Sequence, residues 1–110
     1  MTVSTHVLDT ARGIPAAGVA VTLYVLDGAD RKTIGEAVTN DDGRTDAPLG
    51  LALHAGTYEL VFSVGAYFKR DGTVAFYDEI PIRFILGGKP GRYHVPLLIS
   101  PWGYSTYRGS

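Results

Sequence analysis

Three imidazoles, His6, His54 and His94, are the groups in this 110-residue chain best able to move protons near neutral pH. The chain contains no Cys, which excludes disulfides, thiolate metal sites and a thiol nucleophile. Arg44, directly after the Asp42-Gly43 turn, offers a permanent positive charge on a rigid donor fork. The His residues lie far apart in sequence and are not matched by carboxylates at ligand spacing, so neither zinc nor any cofactor is expected. Asp41-Asp42-Gly43 resembles the start of a calcium loop, but the later oxygen ligands and the closing Glu are missing. There is no phosphate-binding P-loop and no dinucleotide fingerprint. Taken singly, each His reads as an exposed or hydrogen-bonded side chain, and Arg44 as a solvated loop charge. His54, in Leu53-His54-Ala55-Gly56, offers nothing beyond that reading.

The composition suits one globular domain over residues 1–110, with 45% hydrophobic and 19% charged residues. A formal net charge of −1 leaves no electrostatic footprint for nucleic acid or an anionic membrane. No apolar run approaches the roughly 20 residues needed to cross a bilayer. Met1-Thr2-Val3-Ser4-Thr5-His6 has no basic segment followed by an apolar one, so a cytoplasmic protein is expected.

The elements that must position these groups are short strands. Residues alternate in character over Val19–Leu26, Thr57–Val64 and Ile80–Leu86, with β-branched and aromatic residues abundant. Weaker strand patterns cover Val3–Asp9, Lys32–Thr39, Arg92–Ser100 and Gly103–Arg108. Turns fall at Asp27–Asp30, Asn40–Gly43 and Gly87–Gly91. Only the stretch from Gly65 to Gly72 has room for a helix, of at most about two turns. Seven or eight short strands at this spacing predict an antiparallel sandwich.

One strand is unusual. Between Arg92 and Ser100, the residues Tyr93, Val95, Leu97 and Ile99 form a core face, while the opposite face carries His94, Pro96 and Leu98. Pro96 has no N–H to give to a ladder. A strand apolar on both faces is normally covered on both, and with so little helix the expected cover is another subunit.

In combination, these segments resemble the transthyretin-related 5-hydroxyisourate hydrolase family. The resemblance rests on Ser4-Thr5-His6-Val7-Leu8-Asp9-Thr10 with Gly13 and Pro15, and on Thr39-Asn40-Asp41-Asp42-Gly43-Arg44. It continues through Tyr93-His94-Val95-Pro96-Leu97-Leu98 and Ser100-Pro101 to Tyr104-Ser105-Thr106-Tyr107-Arg108-Gly109-Ser110. It covers essentially the whole chain, and the closing Tyr107-Arg108-Gly109-Ser110 is its most specific part, since hormone-carrying transthyretins lack that ending.

The resemblance implies an all-β, prealbumin-like sandwich of two four-stranded sheets with one short helix. It also implies a homotetramer, with subunits paired edge to edge through their last two strands and dimers stacked around a central channel. The implied activity is hydrolysis of 5-hydroxyisourate to 2-oxo-4-hydroxy-4-carboxy-5-ureidoimidazoline in urate catabolism. His6, Arg44 and His94 are the implied catalytic residues, and Tyr107, Arg108, Gly109 and Ser110 the implied substrate-binding ones. A neutral imidazole is suited to take a proton from water, and a guanidinium to meet the developing oxyanion. Which His is the base stays open at this point. The rival reading is a transthyretin-like carrier that binds a small hydrophobic ligand in the channel. A carrier has little use for two imidazoles, a guanidinium and a polar tail converging on one place.

Overall fold

Apolar alternation pairs into a sandwich in the computed structural model, which describes all residues from Met1 to Ser110. The strands are β1 (Thr2–Ser4), β2 (Val7–Asp9), β3 (Ile14–Pro15), β4 (Ala20–Asp27), β5 (Asp30–Val38), β6 (Gly56–Ser63), β7 (Glu79–Leu86), β8 (Arg92–His94), β9 (Leu97–Ser100) and β10 (Gly103–Thr106). The helix, α1 (Val64–Arg70), follows β6 without a break. One sheet has the order β5-β4-β6-β7, the other β10-β9-β2-β3, and β1 pairs with β8 as a two-stranded extension. The two four-stranded sheets and single short helix match the expected architecture.

The three strong strand patterns appear as β4, β6 and β7, within a residue or two of the expected bounds. β3 was not foreseen, because two residues are too few to show a period. The asymmetry of β4 explains its place: Val21 and Leu23 are buried, while Thr22 and Tyr24 face outward. Val21 and Leu23 share one buried core with Leu60 and Phe62 of β6, Val7, Leu97 and Ile99 of the facing sheet, and Phe68 of α1. Asp9 is fully buried at the end of β2, where its carboxylate accepts bonds from the Tyr67 hydroxyl at 2.9 Å and from the amides of Ala11 and Arg12. Burial, followed by that carboxylate, raises the Tyr67 pKa, so the phenol keeps its proton and goes on donating. The helix is thereby tied to the sheet that carries the chemistry.

The expected strands Val3–Asp9 and Arg92–Ser100 are each split in two, where the His6 amide makes no bond to the Val95 carbonyl. They run parallel in one continuous register, with Ser4 opposite His94 and Val7 opposite Leu97. The amides of Val95 and Leu97 donate to the carbonyls of Ser4 and His6, both at 2.9 Å. Pro96 lies between them with its backbone turned to the opposite edge, toward β10, so its missing N–H takes no bond from this pairing. The buried Thr5 hydroxyl donates to the Val95 carbonyl at 2.7 Å, which satisfies an acceptor the broken ladder would otherwise leave alone.

Two further expectations need correction. Of the last two strands only β10 is a free edge, since β9 is hydrogen-bonded to β10 on one side and β2 on the other. The matching free edge of the other sheet is β7. Cover for the second face of the Arg92–Ser100 segment also comes partly from within the chain. Pro96 is buried, with the backbone of Gly109 against it, while His94 and Leu98 stay half-buried.

Candidate active site

The shared register of β1/β2 with β8/β9 decides which side chains meet. Even-numbered residues of both segments project to the outer face of the sheet, so Ser4, His6 and Leu8 stand beside Arg92, His94, Pro96 and Leu98. This face is the floor of a cleft of about 570 Å³. His6, Arg44, His94, Tyr107 and Ser110 all line it. Only three of its fifteen lining residues are hydrophobic. Pockets for hydrophobic ligands are lined mostly by apolar and aromatic side chains, and this one is not.

Arg44 is delivered by a turn built around Asn40. The Asn40 side-chain oxygen accepts the amides of Asp42 at 2.9 Å and Arg44 at 3.2 Å, and its amide nitrogen donates to Asp46 at 3.0 Å. The Val7 amide then donates to the Gly43 carbonyl at 2.8 Å, and Arg44 forms an antiparallel bridge with His6. Gly43 has φ +75, and a Cβ there would lie 2.3 Å from the Val7 carbonyl oxygen. No other residue fits at that place, so the guanidinium stands beside the first imidazole because a glycine lets the turn close against β2.

The tail is positioned with equal economy. The Thr106 hydroxyl donates to the Pro96 carbonyl at 2.7 Å, and the Gly109 amide donates to the His94 carbonyl at 2.8 Å. Gly109 forms an isolated bridge with His94. A Cβ on Gly109 would come within 2.6 Å of His94 Cδ2, so the tail packs directly on the second imidazole. Tyr107 and Ser110 consequently reach the cleft. Arg108 points the other way, its guanidinium 4.6 Å from the centre of the Tyr93 ring, in an apolar groove beside β7. His54 is exposed and lies outside the cleft.

Burial lowers the His94 pKa, and electrostatic repulsion from Arg44, then His6 and Arg92, pushes it further in the same direction. The imidazole therefore stays neutral further into the acid range than the ordinary value of 6.5 allows. Only the neutral form can accept a proton, so His94 is a competent base at pH 7. NMR titration of His94 is expected to give a midpoint below 6.5, and Arg44→Gln to move that midpoint upward. A midpoint at or above 6.5, or one that Arg44→Gln lowers, would contradict this electrostatic account.

The sequence reading missed Ser4, Arg92 and Asn40. Ser4 was visible as a face-mate of His6, but only the parallel register shows that it stands opposite His94. Arg92 is a cleft residue by simple alternation from His94. Asn40 carried a recognisable Asx-turn pattern ahead of Gly43.

Fold and site together define an all-β sandwich that carries a polar, imidazole- and guanidinium-lined cleft on one outer sheet face, a chemistry suited to hydrolysis. Residues 3–109 match the model of the HIUase/Transthyretin family, and the chain belongs to that family. A 5-hydroxyisourate hydrolase of Deinococcus radiodurans is 57% identical, over 97% of this chain and 94% of that protein. The solved structure of a Klebsiella pneumoniae 5-hydroxyisourate hydrolase superposes with a TM-score of 0.88, at 41% identity and over the whole of both chains. A crystal structure of (S)-allantoin synthase matches with a TM-score of 0.90 and 43% identity over 99% of this chain, which spans 43% of that longer one. No helix is long and apolar enough to cross a membrane.

Proposed function

We propose that this chain hydrolyses 5-hydroxyisourate to 2-oxo-4-hydroxy-4-carboxy-5-ureidoimidazoline, a step of urate breakdown. The observation that carries the reading is the convergence of His6, Arg44 and His94, from three distant parts of the chain, on one polar cleft. Its support from relatives is the name shared by the Deinococcus and Klebsiella proteins. Water attacks the acyl carbon of the cyclic amide as an imidazole takes its proton. Arg44 meets the negative charge that gathers on the carbonyl oxygen. The C–N bond then breaks, the imidazolium returns the proton to the departing nitrogen, and the ring opens to a carboxylate and a ureido group. Tyr107 and Ser110 contact the substrate, Gly109 sets the tail's distance from His94, and Arg108 braces the tail by stacking on Tyr93. No metal or cofactor enters this scheme. The hydrophobic-carrier reading is the weaker one, because the cleft is polar.

Mixing the protein with freshly oxidised urate and following the intermediate's absorbance tests the proposal. Faster decay than the spontaneous rate supports it, and an unchanged decay at micromolar protein overturns it.

The assembly proposed for this activity is a homotetramer in the cytoplasm. The free edges β7 and β10 lie on one side of the sandwich, where the loops that lead into them are joined by the Phe76 amide donating to the Pro101 carbonyl at 2.7 Å. Phe76 and Trp102, stacked there with ring centres 6.1 Å apart, are 69% and 68% exposed. Exposed aromatics beside free strand edges are what an interface covers. Sedimentation at micromolar concentration is expected to give four times the 11.8 kDa chain mass, and a clean monomer would end this part of the proposal.

A further inference from the structure

The hydrolytic scheme does not say which imidazole takes the proton from water, nor what holds that imidazole in the right form. The two rings are held differently. No side-chain hydrogen bond reaches the ring of His6, whereas His94 Nδ1 lies 2.9 Å from the Ser4 hydroxyl. That contact follows from the backbone, because Ser4 and His94 are direct partners in the parallel β1–β8 pairing and project to the same face. On its other edge the His94 ring meets the tail, with Gly109 packed at Cδ2. The ring is gripped at Nδ1 and at Cδ2, which leaves Nε2 and Cε1 as the edge offered to the cleft.

A neutral imidazole bears one N–H and one lone pair, and a serine hydroxyl can donate to the lone pair or accept from the N–H. The surroundings choose between these. The cleft that the His94 ring lines also holds the guanidiniums of Arg44 and Arg92. A lone pair directed at positive charge is favoured, and an N–H directed at it is disfavoured. Ser4 therefore accepts.

We propose that Ser4 is a positioning residue: it accepts a hydrogen bond from Nδ1–H of His94 and so presents the Nε2 lone pair to water in the cleft. His94 is then the base, and His6, whose ring no side-chain hydrogen bond holds, is left to orient the substrate. The catalytic part of this inference rests on the hydrolase reading; the tautomer does not. When Nε2 takes the proton from water, the ring becomes an imidazolium and its Nδ1–H bond to Ser4 strengthens. Nε2–H then gives that proton to the departing nitrogen, and the ring returns to its starting tautomer.

Nitrogen-15 NMR of His94 in the intact protein tests the inference, alongside kinetics on 5-hydroxyisourate. In the wild type, Nδ1 is expected to be protonated and Nε2 bare. Ser4→Ala should shift His94 toward the Nε2-protonated form that imidazole favours in water. It should also lower kcat by roughly tenfold, the scale of one neutral hydrogen bond, with KM changed by less than about twofold. Ser4→Thr, which keeps a hydroxyl, should restore both the tautomer and most of kcat. A wild-type His94 protonated at Nε2 overturns the inference without any variant. So does a tautomer unmoved by Ser4→Ala, or a shifted tautomer with kcat intact. If the wild type fails to hydrolyse 5-hydroxyisourate, the functional reading falls while the spectra still decide the role of Ser4.

Discussion

Replacing His94 with Ala is expected to lower turnover of 5-hydroxyisourate by roughly two orders of magnitude or more, the usual contribution of a positioned general base. Arg44→Ala should cost a similar factor, because a preorganised donor aimed at the oxyanion is worth roughly 10²- to 10³-fold. His6→Ala belongs with them if the first imidazole orients the substrate. These losses should come without unfolding, for a reason visible in the backbone. The bonds that knit the site together run from the Leu97 amide to His6, from the Gly109 amide to His94, and from the Asn40 amide to Arg44, and each ends on a main-chain carbonyl. None of them needs the side chain that Ala removes. Steady-state kinetics, with secondary structure and sedimentation checked for each variant, decides the matter. A folded variant with wild-type turnover removes that residue from the mechanism.

The second large effect concerns the tail. Residues after a final strand are usually frayed, and changes there seldom matter. Here the Gly109 amide is bonded to His94, and Ser110 lines the cleft. Deleting Arg108-Gly109-Ser110 takes away one wall of the cleft together with the support of the His94 ring. Misplacing a catalytic group by about 1 Å costs on the order of a hundredfold, and that is the loss expected. Gly109→Ala is the sharper probe, because its one added methyl group would stand 2.6 Å from His94 Cδ2 and must move either the tail or the ring. An affinity tag fused directly after Ser110 should depress activity, while the same tag before Met1 should be tolerated. Equal rates for the two tagged forms would take the tail out of the site.

Much of this arrangement is legible in the sequence, and the parts that are not share one cause. β4, β6 and β7 declare themselves because apolar residues recur at every second position along each, although β6 is buried on both faces from Tyr58 to Phe62. His6, Arg44 and His94 were legible only jointly, as motifs held far apart; nothing local to any of them speaks of catalysis. The parallel pairing of β1 with β8 could not be read from either segment alone, since register is a property of two strands. The place of Ser4 opposite His94 is hidden for that reason, and so is the gap at the Val95 carbonyl that the Thr5 hydroxyl fills. The opposite directions of Ser110 and Arg108 depend on how the tail crosses Pro96, which a four-residue motif does not encode. Edge and interior strands are likewise a matter of topology, so nothing within β9 itself marks it as an interior strand.

The parallel pairing of the first strand with residues 92–100 also has a temporal consequence. Val3 and Val7 are fully buried in the finished sandwich, against neighbours that include Leu97 and Ile99. On the ribosome those neighbours do not yet exist when the first strand emerges. At roughly 5 to 20 residues per second, the chain's amino end waits on the order of 5 to 20 seconds for its partner strand. The β4–β5 hairpin and then β6 and β7, which pair locally, are free to form in that interval. The catalytic cleft, whose two imidazoles sit on the first and last long segments, is therefore the final part to be built. A nascent chain that stalls before residue 92 holds every strand of the β5-β4-β6-β7 sheet and the His6 and Arg44 side of the site, but neither His94 nor the tail.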